Sequence, residues 1–133
     1  HGHQAGDRAL KQVALALEQH LDTSHSTVAR YGGEEFIAIV EGVGCEEALR
    51  LADKVRQAME QRAINIDGMQ RVSITVSIGV AIGMDAQVSG ASLVEQADRA
   101  LYDAKNAGRN LVRMARKPGS TPPPSLLEKS ACA

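Results

Sequence analysis

Arg30-Tyr31-Gly32-Gly33-Glu34-Glu35-Phe36 sits between two short apolar runs, and its reading decides how the chain is laid out. Ser26 to Tyr31 reads as a strand, and Glu35 to Val40 as a second. Gly32-Gly33 between them can supply two positive φ angles, so a tight hairpin is expected. Phe36-Ile37-Ala38-Ile39-Val40 is apolar throughout, which predicts a strand covered on both faces.

Upstream, Leu10, Val13, Ala14, Leu17 and Leu21 recur at helical spacing, so an amphipathic helix is expected from near Gly6. Downstream, Gly44 to about Arg62 reads as a helix with Glu46 and Glu47 in its first turn and Ala48, Leu51, Ala52, Val55 and Met59 as its buried stripe. Val72, Ile74, Val76, Ile78, Val80 and Ile82 then alternate with small or polar residues, a strict period of two that predicts one long strand. A third helix is expected over Ser92 to Asn106, with Ser92 and Glu95 as a capping box, Leu93, Ala97, Ala100, Leu101 and Ala104 inward, and Gly108 at its end. Asn110 to Met114 reads as a final strand, and the Pro-rich stretch from Lys117 as a disordered tail, dividing the chain into 1–116 and 117–133.

Helices and strands intermixed around a hairpin predict an α+β fold, a mostly antiparallel sheet with helices packed on it. The 133 residues suit one domain, and the 44% hydrophobic content supplies one core that must be aliphatic, because aromatics are only 2%. With a net charge of −1 there is no basic field for nucleic acid, and too few aromatics to stack bases. No apolar run approaches membrane-spanning length, so no membrane contact and a cytoplasmic location are expected, an upstream anchor aside.

Chemistry concentrates at the hairpin. Two carboxylates directly follow two glycines, which let a backbone approach a ligand closely, and a rigidly held carboxylate can bind Mg²⁺ alongside substrate phosphates. Alone, the Gly-Gly-Glu-Glu string reads better as a plain turn with solvated acids. Three further segments change the weight: Gly2-His3-Gln4-Ala5-Gly6-Asp7, Val76-Ser77-Ile78-Gly79-Val80, and Ala97 to Asn110 (ADRALYDAKNAGRN). In this order and at these separations the four resemble the GGDEF family of diguanylate cyclases, over His1 to about Arg113.

The resemblance implies a palm-like fold shared with polymerases and nucleotidyl cyclases. It also implies condensation of two GTP into cyclic di-GMP by a pair of domains, with Mg²⁺ or Mn²⁺ as the metal. By the same resemblance Glu34 is the metal-binding acid and general base, and Glu35 supports it near the metal. Gly32 and Gly33 lie against the nucleotide, and Asp7 reads the guanine edge, where one carboxylate can accept from both N1–H and N2–H. His3 lies near the nucleotide, and Lys105 and Arg109 meet the terminal phosphates. Without the resemblance, Asp7, Lys105 and Arg109 are ordinary helix-end charges. Arg30 and Asp98 read first as structural.

Two departures bear on activity. The family's first strand, with a metal-binding Asp, and a following helix with a Phe-Lys pair and an Asn belong ahead of His1. They are expected upstream in the parent protein, since a missing central strand would leave its neighbours' ladder bonds unmade. The family's inhibitory R-x-x-D, where cyclic di-GMP binds, is replaced by Thr23-Ser24-His25-Ser26, so no inhibitory site is expected. The alternative function is a non-catalytic domain of this family that binds GTP or a partner and regulates a neighbouring module.

Overall fold

The computed structural model describes residues 2–22, 24–66, 68–84 and 86–116. Thr23 and the expected tail from Lys117 lie outside the described residues. The element order is α1 (Gly2–His20), β1 (Ser26–Arg30), β2 (Phe36–Val40), α2 (Cys45–Gln61), β3 (Ala63–Asn65), β4 (Arg71–Ser73), β5 (Ile78–Val80), α3 (Gly90–Asn106) and β6 (Val112–Met114). This is the α+β class that the intermixed periodicities predict.

The strands form three two-stranded sheets: β1–β2 and β3–β4 antiparallel, β5–β6 parallel. The long alternating segment from Val72 to Ile82 is therefore two short strands, because β4 pairs with β3 and β5 with β6, leaving 74–77 between them without a ladder. Its inward set survives the break. Ile74, Val76 and Ile78 pack against the core of Ala16, Val55 and Met59, joined by Val13 and Leu17 of α1. Period two depends on the extended backbone, whereas strand pairing depends on a neighbour.

α1 begins at Gly2, a turn earlier than its apolar spacing indicates, and this moves Asp7 from the helix start into its second turn. Arg62 joins α1 to the end of α2, donating from Nη1 to Gln12 Oε1 at 3.0 Å and from Nη2 to Gln19 Oε1 at 2.8 Å. α2 follows its expected bounds and buries Val55 and Met59 of the expected stripe. α3 starts two residues before Ser92. Its cap is Ser89, whose Oγ accepts from the Ser92 amide at 3.1 Å, while Ser92 Oγ accepts from Gln96 Nε2 at 3.2 Å. Ser89-x-x-Ser92 offered two cap hydroxyls to the same turn, and the outer one takes the role.

At the other end α3 closes in a Schellman arrangement: Gly108 has φ 120°, the Ala107 amide donates to Asp103 O, and the Arg109 amide to Ala104 O. α3 lies directly on β5. A Cβ at Gly79 would stand 2.1 Å from Ala97 O and 2.4 Å from Leu101 N, so only glycine permits this approach.

The expectation that β2 is covered on both faces fails. Ile39 is 58% exposed and Ala38 is exposed too, because a strand's faces are covered by elements packed on the sheet and, of the helices, α1 packs on β1 rather than on β2.

Candidate active site

The hairpin register runs from Ser26↔Val40 to Arg30↔Phe36, so residues 31–35 form a five-residue loop rather than a two-residue turn. Neither Gly32 nor Gly33 has a positive φ, and no side chain or backbone lies within 4 Å of where their Cβ atoms would be. Two other contacts hold the loop. The Tyr31 amide donates to Glu35 O at 2.8 Å. The Arg30 guanidinium donates through Nε to Gly32 O (3.3 Å) and Gly33 O (3.1 Å), and through Nη2 again to Gly33 O. A side chain that the sequence marked as structural thus fixes the glycine carbonyls, while the Gly32 amide donates to Glu35 O at 3.4 Å.

On one side of the hairpin, Arg30 and Phe36 form a cavity of about 240 Å³ with Asp7, Leu10, Lys11 and Ala14 of α1. These four sit at i, i+3, i+4 and i+7, one helix face. Lys11 was not singled out from the sequence, although this spacing from Asp7 could have found it.

On the other side a cavity of about 210 Å³ is lined by Glu35 with Asp98, Leu101, Tyr102 and Lys105 of α3. Here Lys105 Nζ lies 3.7 Å from Glu35 Oε1, with the two side chains 39% and 43% exposed. Arg30 and Phe36, which close the loop, thus line one cavity with Asp7 and Lys11, and Glu35 at the loop's end lines the other with Asp98 and Lys105, while residues 31–34 line neither. His3, Glu34 and Arg109 are exposed and line neither cavity, and among the described residues their side chains make no hydrogen bond or ion pair. Their functional atoms are free for a ligand, and nothing in the fold consumes them.

Among the described residues no group of three or more His, Cys, Asp or Glu side chains could alone hold a metal ion. The donor set at the loop is an exposed carboxylate, Glu34, beside Glu35. That set fits Mg²⁺, which is commonly held by one or two carboxylates with substrate phosphates completing the shell.

Arg109 and Asn110 both have left-handed backbones, with φ 62° and 51°. Asn110 is tied to α2: its Oδ1 accepts from Arg56 Nη1 at 3.1 Å and its Nδ2 donates to Glu60 Oε1 at 2.9 Å. That amide, and then Arg56, hold the Glu60 carboxyl below its usual range. Nothing in the sequence pairs these residues.

Around Ser24 and Ser26, Ser26 Oγ donates to Asp22 O, and the Ser24 amide and hydroxyl donate to Asp22 Oδ1 at 2.9 and 2.7 Å. The Ser24 bonds hold the Asp22 carboxyl below its usual range. These hydroxyls serve the turn itself.

A family model described as diguanylate cyclase, GGDEF domain, matches residues 1–111. Diguanylate cyclase A of Treponema denticola is 38% identical over 116 residues, 87% of this chain and 31% of that protein. The response regulator PleD of Caulobacter vibrioides is 33% identical over 112 residues, 84% of this chain and 24% of that protein. The chain thus spans less than a third of the curated relatives it matches. Among solved structures, the GGDEF domain of the Pseudomonas aeruginosa protein YfiN aligns with a TM-score of 0.79 at 35% identity, over 86% of this chain and 66% of that one. The coiled coil and GGDEF domain of DgcB from Caulobacter crescentus, solved with c-di-GMP, aligns with a TM-score of 0.76 at 31% identity, over 86% and 60%.

Proposed function

Because this chain belongs to the GGDEF family of diguanylate cyclases, we propose that its parent protein condenses two GTP molecules into cyclic di-GMP and releases pyrophosphate. The observation that carries this reading is the pair of cavities at the ends of the Gly-Gly-Glu-Glu loop: Asp7 and Lys11 with Arg30 and Phe36 at one, and Lys105 with Glu35 at the other. A nucleoside triphosphate needs a base reader, a backbone it can lie against, and cations at the phosphates, in that order along its length.

In this reading Asp7 accepts from guanine N1–H and N2–H, which adenine does not present together. The loop receives the phosphates, its shape set by Arg30's grip on the glycine carbonyls. Lys105 exchanges Glu35 for a phosphate oxygen, and Arg109 takes another. Glu34 accepts the proton of the attacking 3′-hydroxyl as its oxygen bonds to the α-phosphorus and the bond to pyrophosphate breaks. Divalent metal dependence is general in this family; Mg²⁺ or Mn²⁺ held by Glu34 would neutralise charge on the phosphates. Each site offers one GTP, so the two attacks require a second copy of the domain facing the first.

The test is to incubate the full-length protein with GTP and Mg²⁺ and measure cyclic di-GMP and pyrophosphate. Product from GTP and none from ATP is expected. GTP binding without product would favour the non-catalytic regulatory reading instead. Among the described residues no helix is long and apolar enough to cross a membrane; we place the domain in the cytoplasm, where GTP is available.

A further inference from the structure

Arg109 is the cation whose placement is least explained by its own surroundings. Its side chain is exposed and makes no hydrogen bond or ion pair with a described residue, and it sits between Gly108 (φ 120°) and Asn110 (φ 51°) with a left-handed φ of its own, 62°. Two consecutive non-glycine residues in that region are uncommon, and they persist only where neighbours over-determine them. The Schellman bond from the Arg109 amide to Ala104 O fixes one side of the turn. The other side is fixed through residue 110. Its amide donates to Ser77 Oγ at 3.1 Å, its Oδ1 accepts from Arg56, and its Nδ2 donates to Glu60. Arg56 is itself held by Asp53 at 2.7 Å and by Glu60 at 2.9 Å.

From this geometry we infer that Asn110, clamped by Glu60 and Arg56 of α2, is a positioning residue that aims Arg109 at the triphosphate. The inference rests on the reading of Arg109 as a phosphate contact. Three attachments on one residue, none of them from a group assigned to substrate, make the turn a rigid mount for the guanidinium next to it. α2 carries no assigned site residue, so this gives it a part in substrate binding at a distance. Asparagine suits the position twice: it tolerates the left-handed region better than other residues with a Cβ, and its amide offers both an acceptor for a guanidinium and a donor for a carboxylate.

The experiment uses the full-length protein and two ligands, GMP and an α,β-methylene analogue of GTP, which cannot release pyrophosphate. Asn110→Gly keeps the backbone region and removes the clamp. It should weaken the triphosphate analogue about tenfold, the scale of one mispositioned charged hydrogen bond, and leave GMP within about twofold. Arg109→Ala should show the same selective loss, and the Asn110→Gly/Arg109→Ala double variant should lose no more than Arg109→Ala alone. Glu60→Ala should follow Asn110→Gly, while Glu60→Gln, which still accepts from the amide, should restore the affinity. A merely structural role would lower the thermal midpoint and weaken both ligands alike. Selective loss in Arg109→Ala with none in Asn110→Gly overturns the positioning role alone. No selective loss in Arg109→Ala overturns the phosphate reading and this inference with it. Should Asn110→Gly fail to fold, Glu60→Ala, on the solvent side of α2, carries the same comparison.

Discussion

Lys105 Nζ of α3 lies 3.7 Å from Glu35 Oε1 at the end of the hairpin loop, and about two-fifths of each side chain is exposed. An ion pair this long and this wet contributes at most about 1 kcal/mol. It is better placed to be exchanged than to hold the fold together. Lys105→Ala is therefore expected to leave the thermal midpoint nearly unchanged while weakening GTP binding at least tenfold, about 1.4 kcal/mol or more. Paired thermal unfolding and calorimetry check this. A large stability loss with intact GTP affinity would make the pair a fold contact.

Glu34 is exposed, and its carboxylate is bonded to nothing else described. Glu34→Gln keeps the shape and removes the charge that holds a cation or takes a proton. Turnover should fall more than a hundredfold, within the usual range for a lost general base, with no change in unfolding by urea. Near-normal cyclic di-GMP production by the variant would end the assignment.

Local signals explain what the sequence revealed. Glu46 and Glu47 at the start of α2 and its apolar stripe are nearest-neighbour information, and the helix has the bounds they indicate. The Val72–Ile82 alternation identified the core-facing Ile74, Val76 and Ile78, yet it could not report that 74–77 has no ladder partner. Asp7, Glu34, Glu35, Lys105 and Arg109 were reached through family resemblance. The contacts that organise them, Arg30 on the glycine carbonyls, Glu35 with Lys105, and Asn110 with Glu60, join residues whose proximity depends on the finished fold. Composition and periodicity carry no trace of those.

Gly79 tests the close contact that seats α3, and with it Lys105, on β5. An added methyl would meet backbone atoms at 2.1 and 2.4 Å, which cannot rotate away. Gly79→Ala should cost about 3 kcal/mol, the upper end for overpacking a core. Gly90→Ala, where nothing lies within 4 Å of the new atom in the first turn of α3, should be neutral or slightly stabilising. Urea midpoints of the two variants give the comparison, and equal midpoints would contradict it.

Asp7 faces a cavity shared with Arg30 and Lys11, where a neutral replacement changes recognition more than stability. Asp7→Ala should weaken GTP binding by tenfold or more, since a lost hydrogen bond to a charged group is worth about 1.5–3 kcal/mol. Wild type should ignore ATP. Equal calorimetric titrations of the wild type with ATP and GTP would remove Asp7 from the guanine edge.

The last prediction concerns control by product. Family resemblance locates an inhibitory Arg and Asp where this chain has Thr23 and Ser26. Thr23 lies outside the described residues, but the surroundings of Ser26 bear directly on the question. Its hydroxyl is spent on Asp22 O, and Ser24 is likewise bonded to the Asp22 carboxylate, so the turn satisfies its own polar groups. Of Arg50 and Lys54, the cations on α2 that could assist, Arg50 is engaged through Nε and Nη2 by Glu47. A neutral hydroxyl also offers one single bond where a guanidinium fork offers two charge-assisted ones of about twice the strength. Cyclic di-GMP at micromolar concentration should therefore neither bind here nor slow the enzyme. Thr23→Arg/Ser26→Asp should introduce inhibition, because it restores the bidentate charge and frees the position from the Asp22 carbonyl. Initial rates of the full-length protein with and without added product, wild type beside the double variant, decide it. Strong inhibition of the wild type would show that the product is recognised without the charged pair.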